Sequence, residues 1–431
     1  MKEFELRLGK QVVRVSLPEE KIIGVIEGTP YEPIVDIEAA VKEALRNPIG
    51  TPPLHEIVRA GDKVAVVASD ITRAWARFDI FLPHIFNELN RAGVPDSNIV
   101  LIVALGAHRI NTPEEHITVY GQEVVDRVKI VQSYAPIAED FTYIGTTSRG
   151  VPVSINKEIL NADKVILTGG IVYHLMGGFG GGRKSILPGV AGYATIQGNH
   201  SFCLSTVVGQ GTNPKSASGK LEGNVMNEDM IEIAEMVNPD FLFNVTQTGE
   251  GKIARFFAGH WLEAWLEGCK TVEKIFGVPI REKADLVIAS AGGYPNDINL
   301  YQAYKTAINA VMACKENGVV IVLMELPDIN DPPDFSDWFN YESLYDRELA
   351  LRKEFTVPGW TALKVGELAK KVPNIIVTLP RNKNFIEKVG MYPVTTMEDA
   401  LALAEKKLGR KDYTIMLMPN GANTMPILAK T

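Results

Sequence analysis

Short unbroken apolar runs recur along this chain and alternate with segments whose apolar residues return every third or fourth position. Before that rhythm begins, residues 4–8 and 12–17 alternate between apolar and polar positions around Gly9-Lys10. This is the pattern of a β-hairpin, and residues 21–27 read as a third strand. Asp36 stands where it caps a helix running to Arg46, with Ile37, Ala40, Val41 and Leu45 on the apolar face. One unit then repeats. Residues 63–68 form an apolar strand ending in Ser69-Asp70-Ile71-Thr72-Arg73, followed by a helix over residues 78–92. Residues 98–104 form the next strand and end in Leu105-Gly106-Ala107-His108-Arg109. Thr112 and Glu115 make a capping box for the helix behind it. The third strand, residues 165–167, leaves through Gly169-Gly170 toward His174. Residues 142–156 read as a hairpin around Arg149-Gly150, residues 209–226 as a polar loop and residues 227–236 as a helix. Strands are expected at 241–246, 285–290, 319–324, 374–379 and 414–418, and helices at 257–276 and 298–314. Residues 325–342, rich in Asp and Pro, are expected to be a solvated loop.

Unbroken apolar strands alternating with helices indicate parallel sheets covered on both faces. The fold class is therefore α/β, as two α/β domains with largely parallel sheets. The expected boundary is at Gly277-Val278-Pro279, dividing residues 1–276 from 277–431. In such sheets ligands sit beyond the carboxyl ends of the strands. Arg73, His108 and His174 each follow such an end, so one crevice can collect all three.

Composition narrows the partners. The 431 residues carry a formal net charge of −8, which argues against nucleic acid or an anionic membrane as the main partner. No apolar run approaches the roughly 20 residues of a membrane span. The first residues lack a signal-peptide core. Cys203, Cys269 and Cys314 are far apart, which fits a reducing cytoplasm and excludes a cysteine zinc site.

The densest candidate chemistry lies between residues 165 and 203. Gly177-Gly178-Phe179-Gly180-Gly181-Gly182 runs into Arg183-Lys184-Ser185, with His174 before the cluster and His200 after it. Such glycines let backbone approach a bound group and turn amide N–H groups toward an anion. This is not a Walker A loop, because Arg183 stands where glycine must precede the lysine. It is not a dinucleotide fingerprint either, since it does not open a helix directly after a strand. An anion cradle of another design and a purely structural loop both remain. Arg73 suits a carboxylate or phosphate, or pairs with Asp70 to hold its own loop. Gln302 and Lys305 share one helix face, which by itself is a solvated surface. Trp360 is by default a packing residue.

Taken in order, Asp70-x-Thr72-Arg73, Gly106-Ala107-His108-Arg109, the glycine cluster with His174, Lys184 and His200, Gly292-Gly293-Tyr294-Pro295, Tyr301-Gln302-x-x-Lys305 and Trp360 resemble the nickel-pincer-nucleotide lactate racemase family over nearly the whole chain. Ala107 stands where many relatives carry threonine. The resemblance implies two α/β domains with the active site in the inter-domain cleft. It implies a racemase or epimerase of a 2-hydroxy acid, working by proton-coupled hydride transfer. The implied cofactor is nickel in a pyridinium-3,5-dithiocarboxylic acid mononucleotide-type pincer bound covalently to Lys184, with His200 as the protein ligand to the metal. His108 and His174 are the implied acid/bases. Arg73, Gln302, Lys305 and Tyr301 are implied at the substrate, and Asp70, Thr72, Arg73 and Trp360 at the cofactor. Cofactor-biosynthesis and maturation proteins are the implied partners, in the cytoplasm, with no nucleic acid or membrane. The rival expectation is a nucleotide-binding protein or phosphotransferase that uses residues 177–184 without nickel.

Overall fold

The computed structural model describes residues 1–429. Two compact units emerge. One, the glycine-loop unit, is Pro30–Leu204 with Asn213–Ile275; the other, the terminal unit, is Met1–Thr29, Ser205–Thr212 and the chain from Phe276 onward.

A six-stranded sheet forms the centre of the glycine-loop unit, in the order Ile253–Gly259, Phe241–Gln247, Lys164–Gly170, Val64–Ser69, Ile99–Gly106, Lys129–Tyr134. Every pairing is parallel except that of the edge strand Ile253–Gly259. From Val64–Ser69 the chain steps outward through Ile99–Gly106 to Lys129–Tyr134, and then returns to lay Lys164–Gly170 on the opposite side. Strand order therefore reverses between Val64–Ser69 and Lys164–Gly170. The loops after these two strands, carrying Asp70 and the glycine cluster, flank the position where open α/β sheets bind ligands. Helix Phe78–Arg91 covers one face and buries Phe78, Phe81, Leu82, Ile85, Phe86 and Leu89. Each such side chain contributes about 1.5–3 kcal/mol of transfer free energy. Asp36 caps Ile37–Arg46 through the Ala39 amide, and Thr112 with Glu115 forms the expected capping box.

The terminal unit holds a second six-stranded sheet, ordered Tyr392–Val394, Asn374–Val377, Cys314–Leu323, Ala284–Ser290, Ile415–Met418, Ile22–Val25 and parallel throughout. Two largely parallel α/β sheets are thus present.

Three local expectations need correction. Residues 1–29 belong to the terminal unit, because Ile22–Val25 pairs with Ile415–Met418 and the Gly9 amide of the hairpin donates to buried Asp297 at 2.7 Å. Hydrophobic pattern marks a strand but not its distant partner. Residues 257–276 are not one helix. Phe256, Phe257 and Ala258 are buried on the edge strand, and the helix begins at Glu263. Consecutive apolar residues suit a strand buried on both faces as well as a helix. Finally, residues 325–342 are not simply solvated. Short helical turns at Pro333–Ser336 and Asp337–Asn340 bury Phe335 and Phe339, and Phe335 packs on Tyr301 at 5.3 Å. Among the described residues no helix is long and apolar enough to cross a membrane.

Candidate active site

The glycine cluster folds into a closed structure held by its own neighbours. Tyr173–His174 pairs antiparallel with Gly178–Phe179, and the chain then turns through Gly181 and Gly182 at φ of 68° and 55°. Positive φ and the nearness of Trp265 explain glycine at 182, where a Cβ would come 2.5 Å from the indole Cγ. Arg183 is fully buried beneath the loop. Its Nη2 donates to Gly177 O at 2.6 Å, Nη1 to Phe179 O at 3.0 Å and Nε to Asn227 Oδ1 at 2.9 Å. The guanidinium lies 3.9 Å from the Trp265 ring centroid, and Trp265 Nε1 donates to Gly180 O at 2.8 Å. Burial lowers the Arg183 pKa to about 9.

The loop amides are engaged as well. Gly177 N donates to His174 Nδ1, Gly180 N to Val172 O, Gly182 N to Asn244 Oδ1 and Lys184 N to Gly181 O. Amides already bonded within the chain are poor anion donors, so the expected cradle of outward-facing N–H groups is not what these residues build. Arg183 is a strut rather than a phosphate ligand. Both findings weigh against the nucleotide-loop alternative.

Lys184, next in sequence, points the other way. It is half-buried, and its Nζ lies 2.7 Å from His174 Nε2. The opposite ring nitrogen, His174 Nδ1, accepts from the amides of Gly177 at 3.0 Å and Met176 at 3.3 Å. A nitrogen that accepts two amide bonds carries no proton, so the neutral ring holds its proton on Nε2. That N–H then donates to Nζ, which must offer a lone pair. Burial, followed by Arg73 and Arg183, holds the Lys184 amine well below its ordinary value, in agreement with this geometry. Burial and then Lys184 likewise push His174 far down.

His108 is oriented from the other side. Asp70, 3% exposed, accepts from Thr72 N at 2.9 Å and Thr72 Oγ1 at 2.5 Å on one oxygen, and meets His108 Nδ1 at 2.5 Å with the other. Burial pushes the Asp70 carboxyl up, but the bonds from His108 and Thr72 outweigh it and leave the group below its ordinary value. An ionised carboxylate at Nδ1 fixes the proton there and leaves Nε2 as an acceptor. Asp70 thus spends both oxygens within the protein, on Thr72 and His108. Arg73 bonds the carbonyl and hydroxyl of Thr72 at 3.1 and 3.0 Å, so its pairing with Asp70 is not formed.

His200 ends helix Tyr193–His200 and is 4% exposed. Its Nδ1 lies 3.0 Å from Ile196 O, a carbonyl that can only accept, so Nδ1 carries the proton and Nε2 the lone pair. Burial, with Lys184 nearby, pushes its pKa down to about 3. Arg73, Lys184 and His200 all lie close enough to act on the charge of His174. Asp70, Thr72, Arg73, His108, His174, Lys184 and His200 all belong to the glycine-loop unit, where Arg73, bonded to Thr72, links the Asp70–His108 pair to His174 through its charge. Asn227, Asn244 and Trp265 join them as supports that no sequence motif marked.

The remaining candidates lie in the terminal unit. Gln302 and Lys305 are exposed on helix Leu300–Ala313, capped by Asn299, and Tyr301 is half-buried against Phe335. Trp360 is 1% exposed, as a packing residue would be.

Comparison with known proteins shows the family. Residues 8–211 match the lactate racemase N-terminal domain and residues 280–425 the lactate racemase C-terminal domain. The chain is 32% identical over 432 residues to the lactate racemase of Thermoanaerobacterium thermosaccharolyticum, covering 99% of each. To that of Lactiplantibacillus plantarum it is 30% identical over 438 residues, covering 98% of this chain and 99% of the relative. The solved lactate racemase apoprotein from T. thermosaccharolyticum superposes with a TM-score of 0.87 at 31% identity, covering all of both chains. A protein from Thermotoga maritima shares the fold at a TM-score of 0.62 and 16% identity, over 93% of this chain and all of that one. This chain belongs to the lactate racemase family, a family of isomerases.

Proposed function

We propose that the chain racemises a 2-hydroxy carboxylate, lactate or a close relative, by proton-coupled hydride transfer, with nickel held in a pyridinium-3,5-dithiocarboxylic acid mononucleotide-type group joined to Lys184. The observation that carries this reading is the contact of His174 Nε2 with the Lys184 amine at 2.7 Å, with neutral His200 near enough to feel the charge of that amine. Ordinary racemisation by proton abstraction is hard for such substrates, because the ionised carboxylate opposes a carbanion at C2. The residues fit the group. Lys184 Nζ offers the lone pair that an amide-type bond needs, and neutral His200 offers Nε2, a donor that suits nickel. Among the described residues no cluster of three His, Cys, Asp or Glu side chains forms a metal site, so the organic group would supply the other donors. When bound, the group supplies a hydride acceptor, which protein side chains lack.

The chain's own residues do the rest. Arg73 is cationic and suits the substrate carboxylate, as a bidentate partner. His108, its Nδ1 proton held by Asp70, presents Nε2 to take a hydroxyl proton. His174 presents Nε2–H, the donor for the oxygen on the opposite course. Roles for Tyr301, Gln302 and Lys305 at the substrate, and for Asp70, Thr72 and Trp360 beside the cofactor, rest on the family resemblance. So do a cytoplasmic location and dependence on cofactor-making proteins.

Intact mass, nickel content and racemisation of both lactate enantiomers, measured on protein matured with those partners, test the proposal. The matured chain should be heavier than its sequence mass, and Lys184→Ala and Lys184→Arg should lose adduct and activity together. An unmodified yet fully active protein would end this reading.

A further inference from the structure

We propose that His174 has a second task, separate from turnover: it primes Lys184 for attachment by holding Nζ as an unprotonated nucleophile. The inference rests on the reading of Lys184 as the attachment point, but its own support is geometric. An exposed lysine near neutral pH is almost wholly ammonium and has no lone pair with which to attack an acyl carbon. At Lys184 the hydrogen-bond directions leave one arrangement for a neutral ring. Two backbone amides donate to His174 Nδ1, the ring proton sits on Nε2, and Nε2–H donates to Nζ across 2.7 Å. An ammonium there would set N–H against N–H. The strut below keeps the donor in place, because Arg183 Nη2 holds Gly177 O while the Gly177 amide holds Nδ1.

The covalent step then balances without an outside reagent. The Nζ lone pair attacks the carbon of a thiocarboxylic acid, a carbon–nitrogen bond forms and the carbon–oxygen bond breaks. The hydroxyl takes one amine proton and leaves as water, and nothing is oxidised or reduced. Attachment also consumes the lone pair that had engaged His174, so Nε2–H becomes available only in the loaded protein. His174 is a positioning residue in this step.

The test uses the full chain expressed without the cofactor-making proteins, with phenyl acetate as a small acylating probe and peptide mass mapping as the readout. Phenyl acetate passes its acetyl group to Nζ and releases phenol. Lys184 should be acetylated ahead of Lys129 and Lys270, whose side chains are 68% and 71% exposed. His174→Ala should slow labelling of Lys184 by about tenfold or more, since each unit by which the amine regains basicity costs a factor of ten in free amine. His174→Gln keeps an N–H donor near Nζ and should retain most of the labelling, while losing turnover once loaded. Labelling of Lys184 no faster than of the exposed lysines overturns the inference, and needs no variant to do so. Equal labelling in a folded His174→Ala protein overturns it too. The intact-mass experiment reads the other proposal separately. Slow labelling beside a normal adduct would sink the priming role alone, whereas fast labelling with no adduct in matured protein would sink the pincer reading and the attachment that the priming serves, leaving only the unprotonated amine.

Discussion

Replacing Asp70 by asparagine changes one atom and should reverse the tautomer of His108. Thr72 N and Oγ1 both donate to Asp70 Oδ1, so the asparagine oxygen stays with them and the amide NH2 is left facing His108 Nδ1. That nitrogen must then accept, its proton moves to Nε2, and the ring can no longer take a proton from substrate. General base catalysis is worth about 10²–10⁴-fold, and a reversed tautomer removes most of it. A loss of about 10³-fold corresponds to roughly 4 kcal/mol in the barrier. The fold should suffer little, about 1–2 kcal/mol, because the buried site stays hydrogen-bonded. Initial rates from each enantiomer, with intact mass and nickel content on the same preparation, decide the matter. Asp70→Asn should be slow while still carrying adduct and metal. Activity within about tenfold of the unaltered protein would refute the tautomer argument, since that is well below what a lost base costs. Loss of adduct and metal would mean that Asp70 serves the cofactor instead.

Three further outcomes follow from the same geometry. Arg183→Lys cannot serve Gly177 O, Phe179 O and Asn227 at once, and each buried acceptor left unpaired costs about 1–3 kcal/mol. Urea unfolding should show a loss of roughly 3 kcal/mol, and an unchanged midpoint would remove Arg183 from its role as strut. Asp285 is pushed up by burial but held more strongly down by Thr414 and Lys315, from 3.8 to about 2. Its stabilisation is complete above the ordinary carboxylate value and fades as pH falls from about 4 toward 2. Asp285→Asn should flatten acid unfolding over that window, as followed by circular dichroism. Finally, substrate deuterated at C2 should invert in ordinary water with its label retained, because hydride held away from solvent does not exchange. Extensive washout during single inversions, read by mass spectrometry, would favour proton abstraction and defeat the hydride route.

Much of the fold was legible because it depends on local pattern. Continuous apolar strands, the Asp36 cap and the Thr112–Glu115 box depend on residues a few positions apart. The positions of His108, His174 and Arg73 past strand ends followed from the same alternation. What could not be read depends on distance in sequence. His108 meets Asp70 across 38 residues, Gly182 meets Asn244 across 62 and Gly180 meets Trp265 across 85. Nothing local distinguishes those partners from other buried polar or aromatic side chains. The same limit hid the pairing of Ile22–Val25 with Ile415–Met418, and with it the unit to which the N-terminal hairpin belongs.

The arginine that disqualified the glycine cluster as a phosphate loop also explains what the cluster is for. A loop that binds phosphate must keep its amides turned outward and unbonded, and glycine before the lysine permits that. Here Arg183 draws the carbonyls of Gly177 and Phe179 inward, while His174, Val172 and Asn244 take the amides of Gly177, Gly180 and Gly182. Such a loop has little left to offer a dissociable anion. It instead presents a single amine that burial, then Arg73 and Arg183, hold well below its ordinary pKa, and that meets His174 Nε2 at 2.7 Å. A diffusing phosphate is best held by many weak donors, whereas a permanent attachment needs one well-placed nucleophile. On the proposed reading the adjacent pair divides that work, Arg183 pointing in to fix the backbone and Lys184, facing His174, serving as the attachment point.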